Sequence, residues 1–158
     1  MLVPAARPLL SVTVEQIEYI MSLKGAQTSE QKSHLEQLKR DAKRVEAARP
    51  GDEGPAFMNA PLSWWADLNV YNPVANAAAL SLPILILQGG RDYHVTTADF
   101  DPFFKGLATR SNVSMRLFPA LNHLFMTGAG VAGSGDYNSA GHVDVEAIQA
   151  IAEFARKL

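Results

Sequence analysis

Pro83-Ile84-Leu85-Ile86-Leu87-Gln88-Gly89-Gly90-Arg91-Asp92 is the stretch that decides how this chain is read. Ile84 to Leu87 are aliphatic without polar alternation, the mark of a strand covered on both faces as in a parallel sheet, and the glycine pair bounds it. Working outward, Phe100, Phe103, Phe104 and Leu107 recur at helical spacing, and Val113 to Phe118 alternates into a second strand before Pro119. Val145, Ile148, Ile151, Ala152 and Ala155 are expected to line one face of a C-terminal helix. The order strand, helix, strand, helix is one right-handed β-α-β crossover with a trailing helix, the unit from which parallel α/β sheets are built. Two such strands leave open apolar edges, and something must cover them.

Upstream, Val14, Ile17, Ile20 and Met21 place a helix over residues 12 to 24, with Gly25 as its stop. Thr28-Ser29-Glu30 offers caps for a second helix. There Leu35, Leu38, Ala42 and Val45 repeat three and four apart, while Lys39, Arg40, Asp41, Lys43 and Arg44 fill the other positions. A short helical hairpin follows, closed by the turn-rich Pro50-Gly51-Asp52-Glu53-Gly54-Pro55. From Phe57 to Leu80, Pro61, Trp64, Trp65, Tyr71 and Pro73 break any long period, which predicts short helical turns and loop. The organisation expected is therefore a helical segment over 1–55, a connecting segment over 56–82 and an α/β portion over 83–158.

The 158 residues are 47% hydrophobic, enough to bury one core. A formal charge of -2, from 14 basic and 16 acidic residues mixed along the chain, offers no field for nucleic acid or an anionic membrane surface. Cysteine is absent, which excludes a disulfide framework and any thiolate metal site and fits a reducing compartment, so the cytoplasm is the expected location. The apolar start before Arg7 is too short for a signal peptide, and no run approaches the roughly 20 apolar residues of a membrane span.

In open α/β sheets the ligand site lies beyond the carboxyl ends of the strands. Asp92 falls there after the first strand, and Leu121-Asn122-His123 brings an imidazole there after the second. Adjacent parallel strands would bring the two together, the carboxylate fixing the imidazole tautomer while the other ring nitrogen takes a proton. They read as the acid and base of a Ser-His-acid triad. The nucleophile is missing. None of Ser11, Ser22, Ser29, Ser33, Ser63, Ser81, Ser111, Ser114, Ser134 or Ser139 has glycine at both minus two and plus two, as the Gly-x-Ser-x-Gly elbow requires.

His94, two residues beyond Asp92, is too near in sequence to meet it in triad geometry. His142 reads as a capping or packing residue. Asp92, His94, His123 and His142 lack the spacing of a metal motif, so no metal and no other cofactor is implied. Gly128, Gly130, Gly133 and Gly135 suggest a phosphate cradle but lack the Gly-Lys-Ser/Thr ending of a P-loop, and read as loop. Trp64, Trp65 and Phe125 are candidates for a substrate pocket, and a tryptophan of the pair is equally a core residue.

From about Pro61 onward the chain resembles the C-terminal part of α/β-hydrolase fold esterases of the dienelactone-hydrolase-like kind. The residues that carry this are Trp64 to Leu68, Tyr71-Asn72-Pro73, Leu87 to Tyr93, Leu121 to Phe125 and Gly141-His142-Val143. The resemblance implies the C-terminal part of such a sheet behind a helical cap, with Asp92 as triad acid and His123 as base. It also implies that residues 7–55 are that cap and Met1 to Pro4 the tail of an earlier strand. A small ester would be the substrate once a segment bearing the nucleophile is supplied, and the chain alone is expected to be inactive. The alternative is a non-catalytic binding or assembly module on the same scaffold. Either way the open sheet edge, or exchange of the cap helices, is expected to make a homo-oligomer.

Overall fold

A computed structural model describes residues 6–138 and 140–158. The expected strand tail at Met1 to Pro4 lies outside the described residues. Contacts divide the chain into two compact units, one spanning Arg7–Asn72 and the other Pro73–Leu158 together with Ala6. The boundary falls inside the segment expected to be a mere connection: its first half joins the helical unit and its second half the α/β unit.

The helical unit holds α1 (Leu9–Leu23), α2 (Ser29–Glu46) and α3 (Leu62–Asn69). Helix α1 begins three residues earlier than its spacing predicts, with Pro8 at the N-cap position and Leu9 and Leu10 opening the first turn. It ends before Gly25, whose φ of 82° is left-handed backbone that favours glycine. Thr28 caps α2 through a reciprocal box with Gln31. The predicted face of α2 is the packed one: Ala42 and Val45 are buried with Leu10, Ala48, Leu62, Trp65 and Ala66 in one core. Asn69, at the end of α3, donates its amide to the Val45 carbonyl at 2.7 Å and so satisfies the end of α2.

In the α/β unit, α4 (Pro73–Ala78) leads to β1 (Ile84–Gly89), then α5 (Thr97–Leu107), β2 (Val113–Phe118), a 3-10 turn at Ser134–Tyr137 and α6 (Val145–Ala155). The strands pair in parallel, from Ile84 opposite Val113 to Gly89 opposite Phe118, and form a two-stranded sheet among the described residues. Both faces of β1 are covered, as its composition predicts. Ile84 and Ile86 pack with Phe100, Phe103 and Leu107 of α5, whereas Leu87 packs with Phe118, Leu121, Ala147 and Ala150 on the α6 side.

Helix α6 turns its alanines inward. Its inward residues are Ala147 and Ala150, while Val145, Ile148 and Ile151 are 61%, 52% and 45% exposed. The alanine side, lacking bulk, is the one set against Leu87, Phe118 and Leu121. No helix among the described residues is long and apolar enough to cross a membrane.

Candidate active site

The turns after β1 and β2 are stitched to each other by backbone. Gly90 donates its N–H to the Phe118 carbonyl at 2.8 Å, and Arg91 donates to the Leu121 carbonyl at 2.9 Å. Such an approach leaves no room for side chains. A Cβ on Gly89 would stand 2.5 Å from the Leu121 carbonyl oxygen, and one on Gly90 would stand 2.7 Å from the Pro119 Cα. The glycine pair therefore does more than end a strand; it lets two turns 30 residues apart in sequence lie against each other.

On this frame the Asp92 carboxylate is fully engaged. Its Oδ1 accepts the backbone N–H groups of His94 at 2.8 Å and Val95 at 3.0 Å, an Asx-type turn, and its Oδ2 lies 2.8 Å from Nδ1 of His123. Asp92 is 9% exposed, and its side chain only 7%, against 26% for the His123 side chain. The carboxylate is thus held from behind by main-chain donors, and the imidazole keeps one nitrogen for outside chemistry. Gln88, buried in β1, donates to the Val95 carbonyl at 2.7 Å and anchors the far end of the same turn.

The His123 turn is organised by Asn122, which is 2% exposed. Its Oδ1 accepts the N–H groups of Leu124 at 2.9 Å and Met126 at 3.1 Å, and its backbone exchanges hydrogen bonds with Phe125 and Met126. Phe125 adopts a φ of 55°, left-handed backbone uncommon for a bulky residue, with its ring edge-on to Phe118 at 6.1 Å. Asp144 then ties this turn to α6. Its N–H donates to the Phe125 carbonyl, its Oδ2 accepts the Thr127 hydroxyl at 2.6 Å, and its Oδ1 caps Glu146. These bonds, Thr127 first, hold the Asp144 carboxyl below its ordinary value. The cap of α6 is therefore Asp144, and His142 is exposed.

His94 does not replace His123; it stands beside it, ring centroids 5.1 Å apart. Burial, and after it the charge His123 can carry, push His94 below its ordinary value, with Asp92 opposing. Among the described residues no group of three or more His, Asp or Glu side chains is placed to hold a metal ion.

The glycine-rich loop is built rather than featureless. Arg91 reaches across it, with one guanidinium nitrogen 2.9 Å from Asp136 Oδ2 and the other 3.2 Å from the Gly130 carbonyl. A Cβ on Gly128 would meet the Arg91 Cζ at 2.9 Å. The loop thereby lays Tyr137 against His94 at 5.7 Å between centroids.

The remaining candidates fall elsewhere. Trp65 is 5% exposed, donates its indole N–H to the Phe57 carbonyl at 3.0 Å, and packs edge-on to both Phe57 and Trp64 in the helical core. Trp64 is 48% exposed in that same unit. The structure brings Asp92 and His123 together with Phe125 two residues away, and keeps both tryptophans in the other unit. Sequence reasoning gave no role to Arg91, Asn122 or Tyr137; the Asn-His pair was the one visible signal for Asn122.

Against known proteins, the chain is similar to Esterase EstD of Thermotoga maritima, with 38% identity over 158 residues. That match takes in 99% of this chain and 36% of the esterase, so the chain spans little more than a third of the relative's length. No family model matches the chain, and no solved structure does either.

Proposed function

We propose that this chain is the cap and C-terminal α/β portion of a serine carboxylic-ester hydrolase of the α/β-hydrolase fold, of the dienelactone-hydrolase-like kind. Asp92 is the acid and His123 the base. The 2.8 Å bond between Asp92 Oδ2 and His123 Nδ1, at the carboxyl ends of paired parallel strands, carries this reading. The likeness to an esterase supports it. In the reaction His123 takes the proton of a serine hydroxyl through Nε2 as the serine attacks the ester carbonyl, then returns it to the departing alcohol. Asp92 holds the productive tautomer and stabilises the imidazolium. The serine and its oxyanion donors come from polypeptide outside these 158 residues, whose ten serines include no Gly-x-Ser-x-Gly.

Turnover of p-nitrophenyl acetate tests this. The chain alone is expected to give none; supplied with a segment bearing the elbow it is expected to turn over, and Asp92→Ala then to lower the rate about 10⁴-fold. Turnover that survives both Asp92→Ala and His123→Ala would overturn it.

A second reading, a binding or assembly module without catalysis, draws on the uncovered Val145, Ile148 and Ile151 of α6. On either reading we propose a homo-oligomer formed through the open sheet edge or by exchange of the cap helices.

A further inference from the structure

The Tyr137 hydroxyl is buried and has no hydrogen-bond partner among the described residues. An unmet hydroxyl destabilises a fold, so its retention beside a chemical couple asks for a reason. Three observations supply one. The loop that carries Tyr137 is clasped by Arg91, the residue directly before Asp92, through the Asp136 carboxylate and the Gly130 carbonyl. The Tyr137 ring packs 6.1 Å from Tyr93 and 5.7 Å from His94, and His94 in turn meets the His123 ring at 5.1 Å. The His123 N–H pulls the Tyr137 phenol down against its burial, although the hydroxyl closes no full hydrogen bond. Arg91 and Tyr137 thus hold the couple from two sides, one through the acid's turn and one through the base's.

We propose that Tyr137 is a positioning residue for His123, presented by the Arg91-clasped loop, and that its hydroxyl and ring keep the imidazole bonded to Asp92. The proposal rests on the reading of Asp92 and His123 as acid and base. Tyr137 touches no reacting atom; it acts through the His123 main chain and through the His94 ring. Burial first, then the neighbouring Tyr93 and Asp92, push its phenol up to about 12, against a smaller opposing pull from the His123 N–H. It remains a neutral phenol throughout the range in which an imidazole works.

Nitrogen-15 NMR of the histidine rings in the full chain tests this, read as the tautomer of His123 and the solvent-exchange rate of its Nδ1 proton. Tyr137→Phe is expected to speed that exchange about twofold, the low end of what one hydrogen bond contributes. Its melting temperature should not fall, since the hydroxyl it removes closes no full hydrogen bond and its loss leaves no buried donor of its own unmet. Asp136→Asn, which cuts the clasp, is expected to speed the exchange as well. Asp92→Asn is expected to switch the tautomer altogether. If Asp92→Asn leaves the ring signals unchanged, the acid-base reading fails. If it switches them while Tyr137→Phe and Asp136→Asn do not alter exchange, the positioning role alone is overturned. A Tyr137→Phe chain that melts several degrees lower would show an ordinary packing residue and overturn the proposal too.

Discussion

The helical unit and the α/β unit treat apolar surface in opposite ways. In residues 7–72, α1, α2 and α3 share one core through Leu10, Ala42, Val45, Leu62, Trp65 and Ala66, with Val45 and Ala66 wholly enclosed. In the α/β unit β1 is enclosed, but its partner β2 is exposed at Arg116 and Leu117, and α6 shows a full stripe of β-branched side chains to solvent. The Asp92–His123 pair sits in the unit whose own surface is less complete. A helical hairpin can satisfy its backbone and bury its stripe by itself, whereas a parallel pair has unpaired backbone along both outer edges.

That contrast can be broken by substitution. Trp65→Ala empties the helical core and is expected to cost about 3–5 kcal/mol, seen as a lowered urea midpoint, while the His123 ring tautomer in the folded protein stays as it was. A changed tautomer would mean the two units are not independent. Ala147→Leu forces bulk between α6 and β1 and is expected to cost about 1–3 kcal/mol. Ile148→Ser, one residue along the same helix, should change monomer stability by no more than about 0.5 kcal/mol and weaken self-association in sedimentation. An Ile148→Ser chain as unstable as Ala147→Leu would show that the stripe is packed after all.

The smallest effect is one of pH. His94 lies below its ordinary value when folded, so the unfolded chain binds its proton first as the medium is acidified. Its contribution is complete above about pH 6.5 and is lost as pH falls toward the folded value. His94→Phe should flatten that limb of a melting-temperature profile, and an unaltered limb would assign it to other groups.

Legibility in the sequence followed the same divide. The face of α2 could be read because Arg40, Lys43 and Arg44 mark the solvent side, with Lys39 on the flank bonded to Glu18 of α1. In α6 three polar residues, Glu146, Gln149 and Glu153, leave an apolar arc too wide to orient, and the bulkier half of that arc proved to be the exposed one. The meeting of Asp92 and His123 was legible because strand ends are addresses that short motifs can mark. Arg91 and Tyr137 were not, because their contacts run between distant turns and across a loop that no local period records, and Asn122 was not, because its bonds fold a tight turn that leaves no hydrophobic period.

The stitched turns after β1 and β2 have a further consequence. Acid, base, the buried asparagine and the glycines that bring them together all lie between Gly89 and His123, and the clasp closes by Tyr137. A recombination breakpoint anywhere before Pro73 would leave this constellation whole. Asp92 and His123 thus travel together in one contiguous stretch of chain, apart in sequence from the helices of residues 7–72.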